Sequence, residues 1–173
     1  HVQSLEIPDL ERFNMPRDCG NWCADNVSVF TAVHDKCWGI DAANGSVQRH
    51  YDLVLGPRKD WSYQWGYVAR VGDKLVGSAI KQGAAHTDFA AWYDSTNSPK
   101  VCSENLFALD KESGNVAWSY AQTGKAQTYS GVLSTDGGLV FFGDDSGAFA
   151  ALDATSGAPL WHLHLNQDWK ASP

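Results

Sequence analysis

Long apolar runs are missing from this sequence. No stretch approaches the roughly 20 residues that a membrane-crossing helix needs, and residues 1–20 lack the basic start and apolar core of a secretory signal. The expectation is a chain with no membrane span, beginning at His1 as a mature terminus, a tag scar or a cut within a longer protein. Charge is also sparse: 19% of residues are charged and the net charge is −7. No basic stripe is available to neutralise phosphates, which argues against nucleic acid as a partner. Helical periodicity is absent too, since no long window places apolar residues at a 3.6 spacing.

Cysteine is scarce and oddly placed. Cys19, Cys23, Cys37 and Cys102 are even in number, but their spacing fits neither a zinc ribbon nor the Cys-x-x-Cys-His haem attachment pattern. Disulfides, buried free thiols and a metal site all remain open readings for the four, with oxidation expected if the chain is exported. Two sequons, at Asn26 and Asn44, read as chance matches in turns.

What is present is β-branched and aromatic residues in short runs bounded by Gly, Asp, Asn and Ser, in a chain that is 43% hydrophobic and therefore able to bury a core. This predicts an all-β fold. Three segments align: CWGIDAANGSVQR from Cys37, LFALDKESGNVAW from Leu106 and FAALDATSGAPLW from Phe149. Asp41, Asp110 and Asp153 head three turns, and Gly45, Gly114 and Gly157 close them. Trp118 and Trp161 end two copies, where Arg49 stands in the first. The chemistry is that of a hairpin turn. The Asp accepts hydrogen bonds from amides of its own turn, and the Gly supplies a positive φ that other residues resist.

Around each turn the sequence predicts four antiparallel strands: 22–25, 28–33, 37–42 and 46–51 in the first copy, 66–71, 74–80, 106–111 and 115–121 in the second, and 130–135, 139–143, 148–154 and 158–165 in the third. Asp110 and Asp153 lie 43 residues apart, an ordinary size for a four-stranded blade, whereas Asp41 and Asp110 lie 69 apart. The excess falls in residues 81–104, rich in Gly, Ser, Asn and Pro, which reads as an inserted loop. The expected layout is an N-terminal extended segment at 1–21, blade 1 at 22–53, blade 2 at 54–124 carrying that loop, blade 3 at 125–166, and the start of a further strand at 167–173. Consecutive apolar residues such as Leu139-Val140-Phe141-Phe142 predict sheets buried on both faces, as in stacked blades.

The frame seen in ALDKESGNVAW and AALDATSGAPLW resembles the pyrroloquinoline-quinone (PQQ) repeat of quinoprotein alcohol dehydrogenases and of the propeller scaffold lipoprotein of outer-membrane assembly. The stretch from Gly131 to Asn166 is most similar to late blades of those dehydrogenases, while MPRDCGNWCADN and WGYVARVGDKLVGSAIKQG look more like large secreted bacterial propellers. The resemblance implies about three four-stranded blades of an incomplete propeller ring, with Trp118 and Trp161 docking between blades and Arg49 marking a degenerate copy. It also implies a periplasmic or extracellular location. PQQ and calcium would be cofactors only if the chain were part of a dehydrogenase. The sequence has no adjacent Cys-Cys pair, and no metal-ligand set or catalytic Asp falls on a matching motif.

The primary expectation is thus a non-catalytic binding or scaffold segment whose partners are other propeller blades, symmetric copies or a larger assembly. The alternative is a fragment of a PQQ-dependent alcohol or sugar dehydrogenase. Trp61, Trp65, Tyr67, Trp92 and Tyr93 are candidate ligand-facing aromatics, set against the plainer reading that such rings pack between blades. His162 and His164, two apart on a strand, could face one way and share a metal, although no third ligand is visible. His86, Asp88 and Asp94 in the insertion and the Asp144–Gly147 turn carry no pattern that lifts them above ordinary loop residues.

Overall fold

Turn chemistry sets the fold, and each of the three repeated turns forms as its residues demand. The computed structural model describes residues 21–55, 63–81, 103–122, 131–144 and 146–164. Asp41 Oδ1 accepts from the amides of Ala43 and Asn44 at 2.8 and 3.1 Å, Asp110 Oδ1 from that of Ser113 at 2.8 Å, and Asp153 Oδ1 from those of Thr155 and Ser156 at 3.0 and 2.7 Å. Gly45, Gly114 and Gly157 take φ of 75°, 76° and 70° and return their amides to the Asp carbonyls.

These turns join the last two strands of three four-stranded antiparallel sheets, each ordered as in the chain. Blade 1 holds β1 (Trp22–Ala24), β2 (Ser28–Val33), β3 (Lys36–Asp41) and β4 (Val47–Asp52). Blade 2 holds β5 (Tyr63–Val71), β6 (Lys74–Lys81), β7 (Ser103–Asp110) and β8 (Val116–Ala121). Blade 3 holds β9 (Val132–Ser134), β10 (Leu139–Gly143), β11 (Ala148–Asp153) and β12 (Pro159–His164). A β-bulge recurs at the same place in each outer pair, at Gly39/Ile40, Ala108/Leu109 and Ala151/Leu152, and such bulges add local twist.

Strands β6 and β7 take in Lys81, Ser103 and Glu104, so three of the residues read as insertion belong to the sheet. The rest of that segment, the N-terminal residues 1–20 and the terminal 167–173 lie outside the described residues. Among the described residues no helix is long and apolar enough to cross a membrane.

Two apolar cores separate the blades. Phe30, Cys37, Tyr51, Trp65, Leu75 and Phe107 fill the seam between blades 1 and 2, and Val76, Leu106, Trp118, Val140, Phe142 and Leu152 fill that between blades 2 and 3. Strand β6 feeds both, Leu75 and Ala79 on one side and Val76 on the other. Blade 2 is therefore buried on both faces, as its consecutive apolar residues predict. Blade 3 departs from that expectation. Val140 and Phe142 are buried while Leu139 and Phe141 are only half-buried, because none of the described residues covers the far face of this sheet.

Candidate functional site

The positions with the most distinctive chemistry lie where one blade meets the turn of the next. Trp118, on β8, lies in register with Ala108 and Val76 on the face turned toward blade 3. Its Nε1 donates to the Ala154 carbonyl at 2.8 Å, and its ring lies on Gly157, where a Cβ would come within 2.6 Å of the indole. Arg49 holds the matching place on β4, and its Nη1 donates to the Ser113 carbonyl at 3.0 Å beside Gly114. Tyr51 completes this latch by donating to the Lys111 carbonyl at 2.7 Å, and burial pushes its hydroxyl pKa up to about 12. The first copy still latches onto the next turn, with Tyr51 reaching the carbonyl that follows the turn Asp, as Trp118 does, and Arg49 reaching the one before the turn Gly.

Trp161 corrects an expectation. The repeat predicts docking like that of Trp118, yet among the described residues Trp161 is 48% exposed while Trp118 is 7% exposed. The indole has Phe149 beside it edge-on at 5.9 Å, and among the described residues no following turn lies upon it. With Leu133, Phe141, Phe149 and Leu163 it forms an open apolar face on blade 3.

The candidate ligand-facing aromatics that can be placed serve the seams. Trp65 is fully buried, edge-on to Phe107 at 4.9 Å, with Gly77 beneath it. Tyr67 shares a 2.6 Å hydroxyl hydrogen bond with Ser134 of blade 3. A bulge at Gly66 divides their duties, because the extra residue puts Trp65 and Tyr67 on opposite faces. Trp61, Trp92 and Tyr93 lie outside the described residues, as do Cys19 and Cys102. Cys23 and Cys37 are free thiols. Burial pushes both pKa values up, that of Cys23 to about 12, so neither is a reactive thiolate. His162 and His164 stand exposed with ring centroids 6.3 Å apart.

Sequence reasoning passed over the most concentrated charge. Asp25, after β1, accepts from Lys111 Nζ at 2.9 Å and from the amides of Val27 and Ser28, with Arg70 Nε at 4.0 Å. The Lys111 hydrogen bond, then the Val27 amide, hold its carboxyl down to about 2. No sequence signal marks it, because Lys111 lies 86 residues away. A carboxyl with a lowered folded pKa contributes stability that is present above its ordinary pKa and lost as pH falls through the folded value. Asp25→Asn is therefore expected to be less stable than the parent at pH 7, with the gap closing between pH 4 and 2. Urea melts at pH 7, 4 and 2 read this, and a gap independent of pH would refute the clasp.

The turn geometry and blade order have counterparts among known proteins. Residues 103–173 match the family model described as PQQ_2, outer membrane protein assembly factor BamB. BamB from Moraxella catarrhalis superposes with a TM-score of 0.56 at 22% identity, over 86% of this chain and 38% of that one. Over residues 103–173 the chain resembles the PQQ repeat, and its three four-stranded sheets are blades of the β-propeller fold. The quinohemoprotein alcohol dehydrogenase ADHIIG of Pseudomonas putida HK5 gives 0.55 at 13% identity, covering 83% of this chain and 26% of that one. In sequence, the quinoprotein ethanol dehydrogenase of Pseudomonas aeruginosa is 44% identical over 69 residues, 40% of this chain but 11% of its own length. The chain thus spans about a tenth of the length of the curated alcohol dehydrogenases it matches.

The described residues gather no site that fits PQQ. Trp65 offers no free ring face, since Gly77 and Phe107 close on it. Asp25 is committed to Lys111, and among the described residues no three His, Cys, Asp or Glu side chains gather as a metal-ligand set. What this arrangement does chemically is bind blade to blade, through an indole, guanidinium or phenol aimed at turn carbonyls.

Proposed function

We propose that this chain acts as a non-catalytic binding or scaffold module outside the cytoplasm, periplasmic or extracellular, within a larger assembly. The observation that carries the reading is the apolar face of blade 3, where among the described residues Trp161 and its neighbours stand exposed although the equivalent residues of blades 1 and 2 engage the next turn. Exposed apolar patches of this kind mark protein interaction surfaces. The extracytoplasmic location draws on the likeness to an outer membrane protein assembly factor and to quinoprotein dehydrogenases.

The 44% identity to a quinoprotein ethanol dehydrogenase favours a second reading, that the chain is part of such an enzyme. Titration with PQQ and calcium separates the two. The scaffold reading expects no saturable change in tryptophan fluorescence or quinone absorbance and no dye-coupled alcohol oxidation. Stoichiometric uptake of PQQ would overturn it.

A further inference from the structure

Strand β12 carries two imidazoles that the packing of the blades does not use. His162 and His164 stand two apart, in register with Ala150 and Ala148 of β11, so both side chains leave the sheet on one side. It is the side on which Ala150 packs with Val140, Phe142 and Leu152 into the seam with blade 2. Trp161 and Leu163 take the opposite side, in register with Ala151 and Phe149. Both histidines are exposed, with ring centroids 6.3 Å apart and planes at 86°. Among the described residues neither imidazole enters a hydrogen bond or an ion pair. The other described histidines are engaged. His50 lies edge-on to Trp38 at 4.4 Å, and His34 turns the chain at a φ of 55°, where its carbonyl accepts from the Trp65 amide.

The spacing suits a chelate. A metal–nitrogen bond of about 2.0–2.1 Å puts an ion about 3.2 Å from each ring centroid, so two imidazoles at adjacent coordination positions have centroids about 4.5–5.5 Å apart. The observed pair is about 1–2 Å wider than that, a gap that rotation of two exposed side chains closes with the strand in place. Opposite them stand only the methyls of Ala148 and Ala150, which put no bulk in the way. Imidazole nitrogen suits Zn²⁺, Ni²⁺ and Cu²⁺, whereas Ca²⁺ and Mg²⁺ take oxygen ligands.

We propose that His162 and His164 together bind one divalent transition-metal ion at the surface, each through one ring nitrogen. Water fills the remaining positions on the ion, which is therefore exchangeable and open to a further donor. With two protein ligands this is not a structural site of the four-ligand kind, and loss of the ion leaves the fold unchanged. The inference is independent of the scaffold reading, because the apolar face around Trp161 takes no part in it.

Calorimetric titration of the full chain with Ni²⁺ tests the site. His1, His34, His50 and His86 are kept in every variant, so the pair is read as a difference. His162→Gln and His164→Gln should each weaken the same binding step by about tenfold or more, since the second nitrogen binds within the molecule once the first has bound. The double variant should lose little beyond either single one, because one imidazole alone holds the ion weakly. Zn²⁺ should act at the same step, and Ca²⁺ should give no heat that the substitutions alter. Urea melts of parent and variants without metal should coincide. In the unaltered chain, Ni²⁺ should protect both imidazoles from carbethoxylation over one concentration range. Unchanged Ni²⁺ binding in either variant, losses that add as for two separate sites, or protection of one imidazole without the other would overturn the proposal.

Discussion

Trp118→Ala is expected to lower the unfolding free energy by about 3–5 kcal/mol, the cost typical of truncating a large buried aromatic. The indole fills the seam between blades 2 and 3 beside Val76, Ala108 and Leu152, and its removal also strips the Ala154 carbonyl of its 2.8 Å partner. Trp161→Ala should cost less than about 1 kcal/mol, as for surface positions outside the core. The two residues share one repeat position, so the difference isolates what a following turn contributes. Equal losses in denaturant melts would mean that Trp161 is buried by some other part of the chain and would remove the open face from the argument.

The second large effect is expected at the partner of that indole. Gly157→Ala meets two penalties. Its φ of 70° lies in the left-handed region, worth about 1–2 kcal/mol to an L-residue. Its Cβ would also stand 2.6 to 2.8 Å from three atoms of the Trp118 ring. Overpacking of a filled seam adds about 1–3 kcal/mol, so a total of about 2–5 kcal/mol is expected. Gly138→Ala is the matched control, with φ of 81° but open space around the new methyl, and should show the backbone penalty alone. In the double variant with Trp118→Ala the steric part disappears, so the losses should fall short of additive. Strict additivity would show that Gly157 is required for its backbone conformation and not for the close approach of the indole.

Much of the local structure was legible in the residues. Asp41, Asp110 and Asp153 cap turns of one design, and their glycines adopt the positive φ that the spacing predicts, because hydrogen bonds across two or three residues and the steric freedom of glycine need no tertiary context. The blade count follows from finding that unit three times, and the strands lie within a few residues of their predicted places. Trp65 and Tyr67 were legible as aromatic but not as to face, since a single bulge at Gly66 reverses the side on which the second one emerges. Arg49 looked like a broken copy because a repeat frame compares residue types. Its role depends on the carbonyl it reaches, 64 positions along the chain.

The sequence by itself determined the all-β class, the turns and the four-strand unit, since each is decided by short-range sterics and hydrogen bonding that repeat wherever the same residues recur. Only the tertiary structure decided which residues join the blades and which are left over. The clasp of Asp25 with Lys111, the latch of Tyr51 and the pairing of Tyr67 with Ser134 each join residues at least 60 apart, and no local preference specifies such partners. The contrast between Trp118 and Trp161 has the same cause. Identical residues after turns of one design have different fates because burial is a property of what packs against a side chain, and among the described residues blade 3 has an open side where blade 2 has a neighbour.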